Sequence, residues 1–192
     1  MGTIFVDNLK HQSSQGSGTI TVGASGETVN IPAGATLTNS GTNNLLTPIV
    51  SVKLSGNQTI TDATTTLLAM ASEDVDTDNA FDNTAGNYKF TVPSGKAGKY
   101  MVTLMLTSFN EGSDILQFQS IIYKNGSTIS YQRQRHDDGS SQPARHEGAT
   151  AHWLGDLAVG DYIQFYAYCD VSSDVPQILG STQSRGTIVK VG

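Results

Sequence analysis

The chain lacks what a disulfide-stapled domain or a nucleic-acid binder would need. Cys169 is the only cysteine in 192 residues, so no intrachain disulfide can form and the fold must stand on packing or on subunit association. Charged residues make up only 15%, with 17 acids against 11 bases. The bases are scattered, so there is no cationic stripe to neutralise phosphates, and nucleic acid is not an expected partner. Nowhere do about twenty consecutive apolar residues occur, so no membrane-spanning helix is expected. The start, MGTIFVDNLK, has neither a basic region nor an apolar one and so does not read as a signal peptide. Myristoylation would want Ser or Thr where Val6 stands. These absences lead to the expectation of a soluble chain with its own start. No window repeats apolar residues at intervals of three and four, so helices should be few.

What is present is the signature of β structure: 20 glycines, many threonines and serines, and runs that alternate with period two. The stretch Tyr88–Phe109 organises the rest. Tyr88, Phe90 and Val92 alternate with Lys89 and Thr91, Pro93-Ser94-Gly95 breaks the run, and a second run passes through Tyr100, Val102, Leu104 and Leu106. This predicts two strands and a corner, with one face of each in a core. The opposite face of the second run, Met101, Thr103, Met105 and Thr107, is only weakly polar, which predicts protein on both sides. The run Tyr162–Tyr168 has the same character, with Tyr162, Gln164 and Tyr166 on one face and Ile163, Phe165 and Ala167 on the other. Most of its aromatics are therefore expected to be core rather than platforms for stacking on sugars.

Residues 1–46 differ in character from the remainder of the chain. Three short β-prone pieces, at 3–6, 19–22 and 28–31, are separated by small-residue turns, and only Asp7, Lys10 and Glu27 are charged. Strands this short cannot make a globular core. The composition fits a tail that buries too little apolar surface to fold, or a fibrous segment whose strands pair between identical chains. The regular recurrence of β-branched residues favours the second. Residues 39–44 read as a linker, and residues 47–192 as the globular domain, with strands at Ile49–Leu54, at 65–71, and on both sides of Asn125-Gly126. Asn-Gly between alternating runs is a strong hairpin signal, because both residues tolerate positive φ in a type I′ turn. The acid-rich segment 72–84, with Glu73, Asp74, Asp76, Asp78 and Asp82, is expected to be a loop, and so is the polar stretch 136–148. Eight to ten short strands at this spacing predict an all-β sandwich or jelly roll.

As an ordered set, several of these features resemble the globular head of the complement C1q and tumour-necrosis-factor superfamily. They are Tyr88-Lys89-Phe90-Thr91-Val92-Pro93 followed by Gly98-Lys99-Tyr100; Tyr123-Lys124-Asn125-Gly126; and Leu157 with Gly160-Asp161, Tyr162 and Phe165. The resemblance implies a trimeric jelly roll over residues 47–192. Two departures stand out. Ile178-Leu179-Gly180 is followed by a longer polar insert than the family's closing motif allows, and there is no collagen-like stalk. Residues 3–37 instead look similar to N-terminal segments of virion proteins of marine bacteriophages. The combined expectation is a phage virion protein located on the tail or capsid surface. It would be a tail fibre, spike or decoration protein, homotrimeric and bound to other virion proteins through residues 1–46. Its head loops would contact a host-surface glycan or protein. The alternatives are a secreted or cell-surface C1q-like, lectin-like module, or a purely structural connector.

Little catalytic chemistry is legible. His136, Asp137, Asp138 and Ser140 are near neighbours in a polar stretch, and neighbouring residues point apart rather than forming a triad. With no G-x-S-x-G elbow and no paired-carboxylate motif, no catalytic residues are assigned, and a polysaccharide-degrading spike ranks last. His136, His146 and His152 lack the pairing of a zinc site, and no metal ligands are assigned. Because some heads of the resembled family hold calcium near the three-fold axis, the acidic stretch 73–82 leaves calcium as the one cofactor worth testing. The receptor-binding candidates are Glu111, Asp114, Arg133, Arg135, His136, Asp137, Asp138, Arg145 and His146, on polar loops at 111–114 and 133–147; a third such loop is 170–175. The arginines and His136 would face anionic or hydroxylated glycans. Candidates for the trimer interface are Met101, Thr103, Met105, Tyr162 and Tyr166.

Overall fold

Thirteen strands form among the described residues, the longer ones on alternating apolar residues. The structure, a computed structural model, describes Ala33 and residues 48–112, 114–136 and 144–192. In chain order the first strands are β1 (Ile49–Lys53), β2 (Gln58–Thr59), β3 (Thr66–Leu67), β4 (Ser72–Asp76), β5 (Phe81–Asp82) and β6 (Lys89–Thr91). Next come β7 (Gly98–Phe109), β8 (Ile115–Lys124), β9 (Ser127–Arg135) and β10 (His146–Leu157). The last are β11 (Tyr162–Val171), β12 (Gln177–Ile178) and β13 (Arg185–Lys190). All pairings are antiparallel. In the first sheet β10 lies on one side of β7, while β13 and then β1 and β4 lie on the other, with β12 pairing the C-terminal end of β7 and β2 pairing β12. The second sheet runs β5-β6-β11-β8-β9, with β3 also pairing β11. Along one side the sheets nearly meet, where the Ser130 hydroxyl of β9 donates to the His152 carbonyl of β10 (2.7 Å). This is an all-β jelly-roll sandwich. Among the described residues no helix is long and apolar enough to cross a membrane.

The two inner faces fill the core. Val50, Val52, Tyr100, Val102, Leu104, Leu106 and Ile188 come from the first sheet, and Phe90, Phe118, Ile122, Ile163 and Phe165 from the second; all are buried. The Phe90 and Tyr100 rings meet at 5.7 Å, tilted by 53°. The Tyr100 hydroxyl donates to the Lys96 carbonyl (2.6 Å), and burial pushes its pKa up to about 12, so it remains a neutral donor. Cys169 faces the core, and burial raises its thiol to about 12 as well.

The Tyr88–Phe109 stretch is where the chain crosses between sheets, since β6 belongs to the second and β7 to the first. The corner is made by Lys96 N–H donating to the Pro93 carbonyl (3.1 Å) and by Gly95 at φ 75°. Gly98 is needed for two reasons. Its φ is 148°, and a β-carbon there would lie 2.2 Å from the Gly192 carbonyl oxygen, which accepts from Lys99 N–H (2.7 Å).

Asn125 and Gly126 have φ of 51° and 77°, the two positive values that a type I′ turn demands. Asn125 also ties this hairpin to the start of β11. Its Nδ2 donates to Asp161 Oδ1 (2.7 Å), and its Oδ1 accepts from Tyr162 N–H (2.8 Å). The Lys124 ammonium (2.8 Å), Asn125 and the Ala158 amide together hold the Asp161 carboxyl at about 2. Such a depressed pKa stabilises the fold above the ordinary carboxylate pKa, and that contribution is lost as pH falls from about 4 towards 2. Asp161→Asn is therefore expected to cost about 1 kcal/mol at neutral pH and to reduce the acid sensitivity in that window. Urea titrations across the pH range would read both effects.

Several expected loops and strands are different in the structure. The acidic stretch 72–84 contains β4 and β5. An edge strand needs only one paired side, and β4 takes it from β1, with a bulge between Ser51 and Val52; charges along such an edge also deter pairing with another chain. The expected strand at 65–71 is reduced to Thr66–Leu67, whereas Arg133 and Arg135, grouped with the polar stretch 133–147 as binding candidates, stand on β9, the returning strand of the Asn125-Gly126 hairpin. The stretch 136–148 gives up its last three residues to β10, which pairs with β7 through His146↔Phe109.

Candidate functional site

At one end of the sandwich the C-terminal end of β7, the start of β10 and the segment between β11 and β12 converge. Asn110 N–H donates to the Arg145 carbonyl (3.0 Å), and the Arg145 guanidinium donates to the Glu111 carbonyl. Asp114 and Ser172 are tied twice: Ser172 N–H donates to the Asp114 carbonyl (2.9 Å), and the Ser172 hydroxyl accepts from Asp114 N–H (3.2 Å). Asn110, almost wholly buried, donates from Nδ2 to the Ser173 carbonyl (3.3 Å). Backbone groups between sheet ends would otherwise be left to water, so these bonds fix the loops relative to each other.

A cavity of about 240 Å³ opens among them, lined by Thr59, Phe109, Asn110, Glu111, Asp174, Val175 and Gln177. The Phe109 ring stacks on His146 (4.6 Å between centroids). Asp174 adopts a left-handed φ of 76°, and its Oδ1 accepts from Val175 N–H (2.9 Å). Gly112 makes room for it, because a β-carbon there would fall 2.5 Å from Asp174 Oδ2.

Of the receptor-binding candidates, Glu111, Asp114, Arg145 and His146 come together at this end. His136 joins them through Glu147, whose carboxylate lies 2.6 Å from His136 Nε2. Arg133 and Arg135 sit on the exposed edge strand β9, opposite Gln119 and Gln117. Asp137 and Asp138 lie outside the described residues. Phe109, Asn110, Thr59 and Gln177 were not signalled by the sequence. They belong to strand ends and to short strands, where neither loop composition nor a motif marks them.

The interface candidates fall on two different faces. Met101, Thr103 and Met105 are on the outer face of the first sheet, with Met101 47% and Met105 41% exposed. Strand pairing adds Leu154 opposite Met101, His152 opposite Thr103 and Thr150 opposite Met105; Leu154 is 67% exposed. Tyr162 and Tyr166 are on the outer face of the second sheet. The Tyr166 and Tyr123 rings meet at 4.2 Å, tilted by 36°, and Lys89 lies over the Tyr162 ring (5.5 Å). The expectation that most of the β11 aromatics are core is therefore corrected. Phe165 is core, but Tyr162, Tyr166 and Tyr168 alternate with the buried residues and point outward.

The acidic stretch does not converge on a cation. Asp74 is engaged by Lys53 (2.5 Å) and Arg185 (2.7 Å), with the Lys53 contact lowering its pKa most. Asp76 accepts the amides of Ala80 (3.0 Å) and Phe81 (2.9 Å), and Asp82 is bonded by Thr84 and Asn87. Among the described residues no three His, Cys, Asp or Glu side chains are grouped to hold a metal ion. The three histidines are likewise separated in role: His136 pairs with Glu147, His146 stacks on Phe109, and His152 Nδ1 meets the Thr103 hydroxyl (3.2 Å).

No family model and no curated protein matches the chain. Solved structures do. Eiger TNF from S. frugiperda aligns over 75% of this chain and 92% of its own with a TM-score of 0.53 at 10% identity. Murine APRIL at pH 5.0 aligns over 74% of this chain and 98% of its own with a TM-score of 0.54 at 9% identity. At such identities the likeness speaks for the fold alone: the described chain has a jelly-roll fold of the tumour-necrosis-factor type.

Proposed function

We propose that this protein is a non-catalytic, homotrimeric recognition head, carried on a virion through residues 1–46, whose end loops contact the host surface. The observation that carries the oligomer is the row of Met101, Met105 and Leu154 on one sheet face. Large apolar side chains left exposed on one sheet face, with Leu154 directly opposite Met101, mark an interface. Closed three-fold symmetry would cover that face and present three copies of the end loops, so that weak contacts become avid. The virion context rests on the sequence resemblance of residues 3–37 alone.

Light scattering at micromolar concentration is expected to give about three times the 20.3 kDa chain mass; a monomer would sink the oligomeric reading. Replacing residues 137–143 by a short Gly-Ser linker, together with Arg133→Ala and Arg135→Ala on exposed positions of β9, is expected to abolish binding to host cells while leaving the oligomer intact. Retained binding would refute the role of that loop, and no binding by the parent protein would favour a structural connector.

A second reading, the same head acting as a secreted or cell-surface binding module, is favoured by the solved structures it resembles, one of which is named as a TNF. Mass spectrometry of purified particles separates the two, because only the virion reading places the chain there.

A further inference from the structure

We propose that the cavity walled by Phe109, Asn110, Glu111, Asp174 and Gln177 is a sugar site, and that it takes a single neutral, hydroxyl-rich ring. This site rests on the recognition role proposed for the head and gives the ligand class for one part of it. At about 240 Å³ the cavity lies below the roughly 300–1,000 Å³ of sites that enclose drug-sized ligands, and it suits one pyranose rather than an oligosaccharide.

Its chemistry fits a polyol. A sugar offers vicinal hydroxyls that donate and accept, and a face of C–H groups. The carboxylates of Glu111 and Asp174 accept hydroxyl protons, the Gln177 amide donates, Phe109 supplies an apolar ring, and Asn110, buried and bonded to the Ser173 carbonyl, shapes the wall. Val175, 51% exposed, adds apolar surface to the lining. No cation is among the lining residues, so the lining is net acidic, with the Arg145 guanidinium beside it held on the Glu111 carbonyl. Uronates, sialates and phosphates are repelled, and the pocket selects against the anionic glycans that Arg133 and Arg135 would favour elsewhere on the surface. The site is also held in shape before binding by the Asn110–Ser173 and Asp114–Ser172 ties and by the close approach of Asp174 to Gly112, which lowers the ordering cost of association.

Saturation-transfer NMR on the full chain tests this with methyl α-mannoside, methyl β-galactoside and methyl glucuronide as probes, in the presence of EDTA. At least one neutral glycoside is expected to receive saturation, and the glucuronide little or none. Asp174→Asn, at an exposed loop position, is expected to weaken binding of that glycoside about tenfold, the effect of losing one charge-assisted hydrogen bond. Gly112→Ala, which displaces Asp174 without changing the lining chemistry, should weaken it similarly. The double variant Glu111→Gln/Asp174→Asn is expected to admit the glucuronide.

Equal transfer to neutral and anionic probes, indifference to Asp174→Asn, or no transfer to any probe would overturn the proposal. If no sugar binds while host-cell binding still depends on residues 133–147, the recognition role stands and the pocket assignment alone falls.

Discussion

Leu104→Asp is expected to leave no folded protein. Leu104 is fully buried at the centre of β7, between Ala151 of β10 and Gly186 of β13. Truncating a buried leucine costs roughly 2–5 kcal/mol through lost transfer energy and an unfilled cavity. A carboxylate adds the penalty of a buried polar group without a partner, again several kcal/mol. A domain of this kind has about 5–15 kcal/mol to lose, so far-UV circular dichroism should show no cooperative unfolding transition.

The neighbouring substitution separates core from interface. Met105 is 41% exposed in the single chain, so Met105→Asp should change the stability of the isolated subunit by only about 0.5 kcal/mol. If the Met101–Met105–Leu154 face is covered by another copy, the same change places three charges in the contact and should yield folded monomers by light scattering. A folded Met105→Asp chain that keeps the parent's oligomeric mass would refute that face as the interface. Unfolding as complete as that of Leu104→Asp would mean that Met105 is core.

Gly186→Ala is expected to be strongly destabilising. Gly186 lies on β13, and a β-carbon there would sit 2.2 Å from Cε2 and 2.7 Å from Cδ2 and Cζ of Phe165. Phe165 comes from the opposite sheet and is fully buried, so it has little room to retreat. Overpacking of this kind costs about 1–3 kcal/mol. The cost should fall in a Phe165→Leu background, which removes the distal ring atoms that the methyl would strike. A double-mutant cycle by urea denaturation reads that coupling directly; strict additivity would show that the strain is taken up by the backbone rather than by the ring.

Much of the sandwich is legible from local pattern. The alternation in 98–109 and 162–168, the Asn125-Gly126 turn and the Pro93–Gly95 corner all appear as strands or turns, because side-chain period and positive φ are properties of a few consecutive residues. The acidic strand β4 escapes that logic. Its pairing depends on β1, far away in sequence, and Ser72–Asp76 has no apolar alternation to announce it. The same holds for β2 and β12, two-residue strands that pair with each other and, through β12, with the end of β7.

The candidate site divides along the same line. Polar loop composition pointed to Glu111, Asp114, Arg145 and His146, and these do gather at one end of the sandwich. Thr59, Phe109 and Gln177 could not be named, since they reach the cavity only because β2, β7 and β12 lie side by side.

By itself the sequence determined an all-β chain with few helices, the inward set Tyr100, Val102, Leu104 and Leu106, and the weakly polar reverse face of Met101, Thr103 and Met105. Side-chain alternation is enforced by backbone geometry within each strand, and it needs no knowledge of neighbours. Only the tertiary structure decided that Leu154 stands beside Met101, that the β11 tyrosines face outward on the opposite sheet, and that Asp174 closes a pocket against Gly112. Each of these depends on strand register and on the meeting of distant segments, and no local pattern encodes which strand will lie next to which.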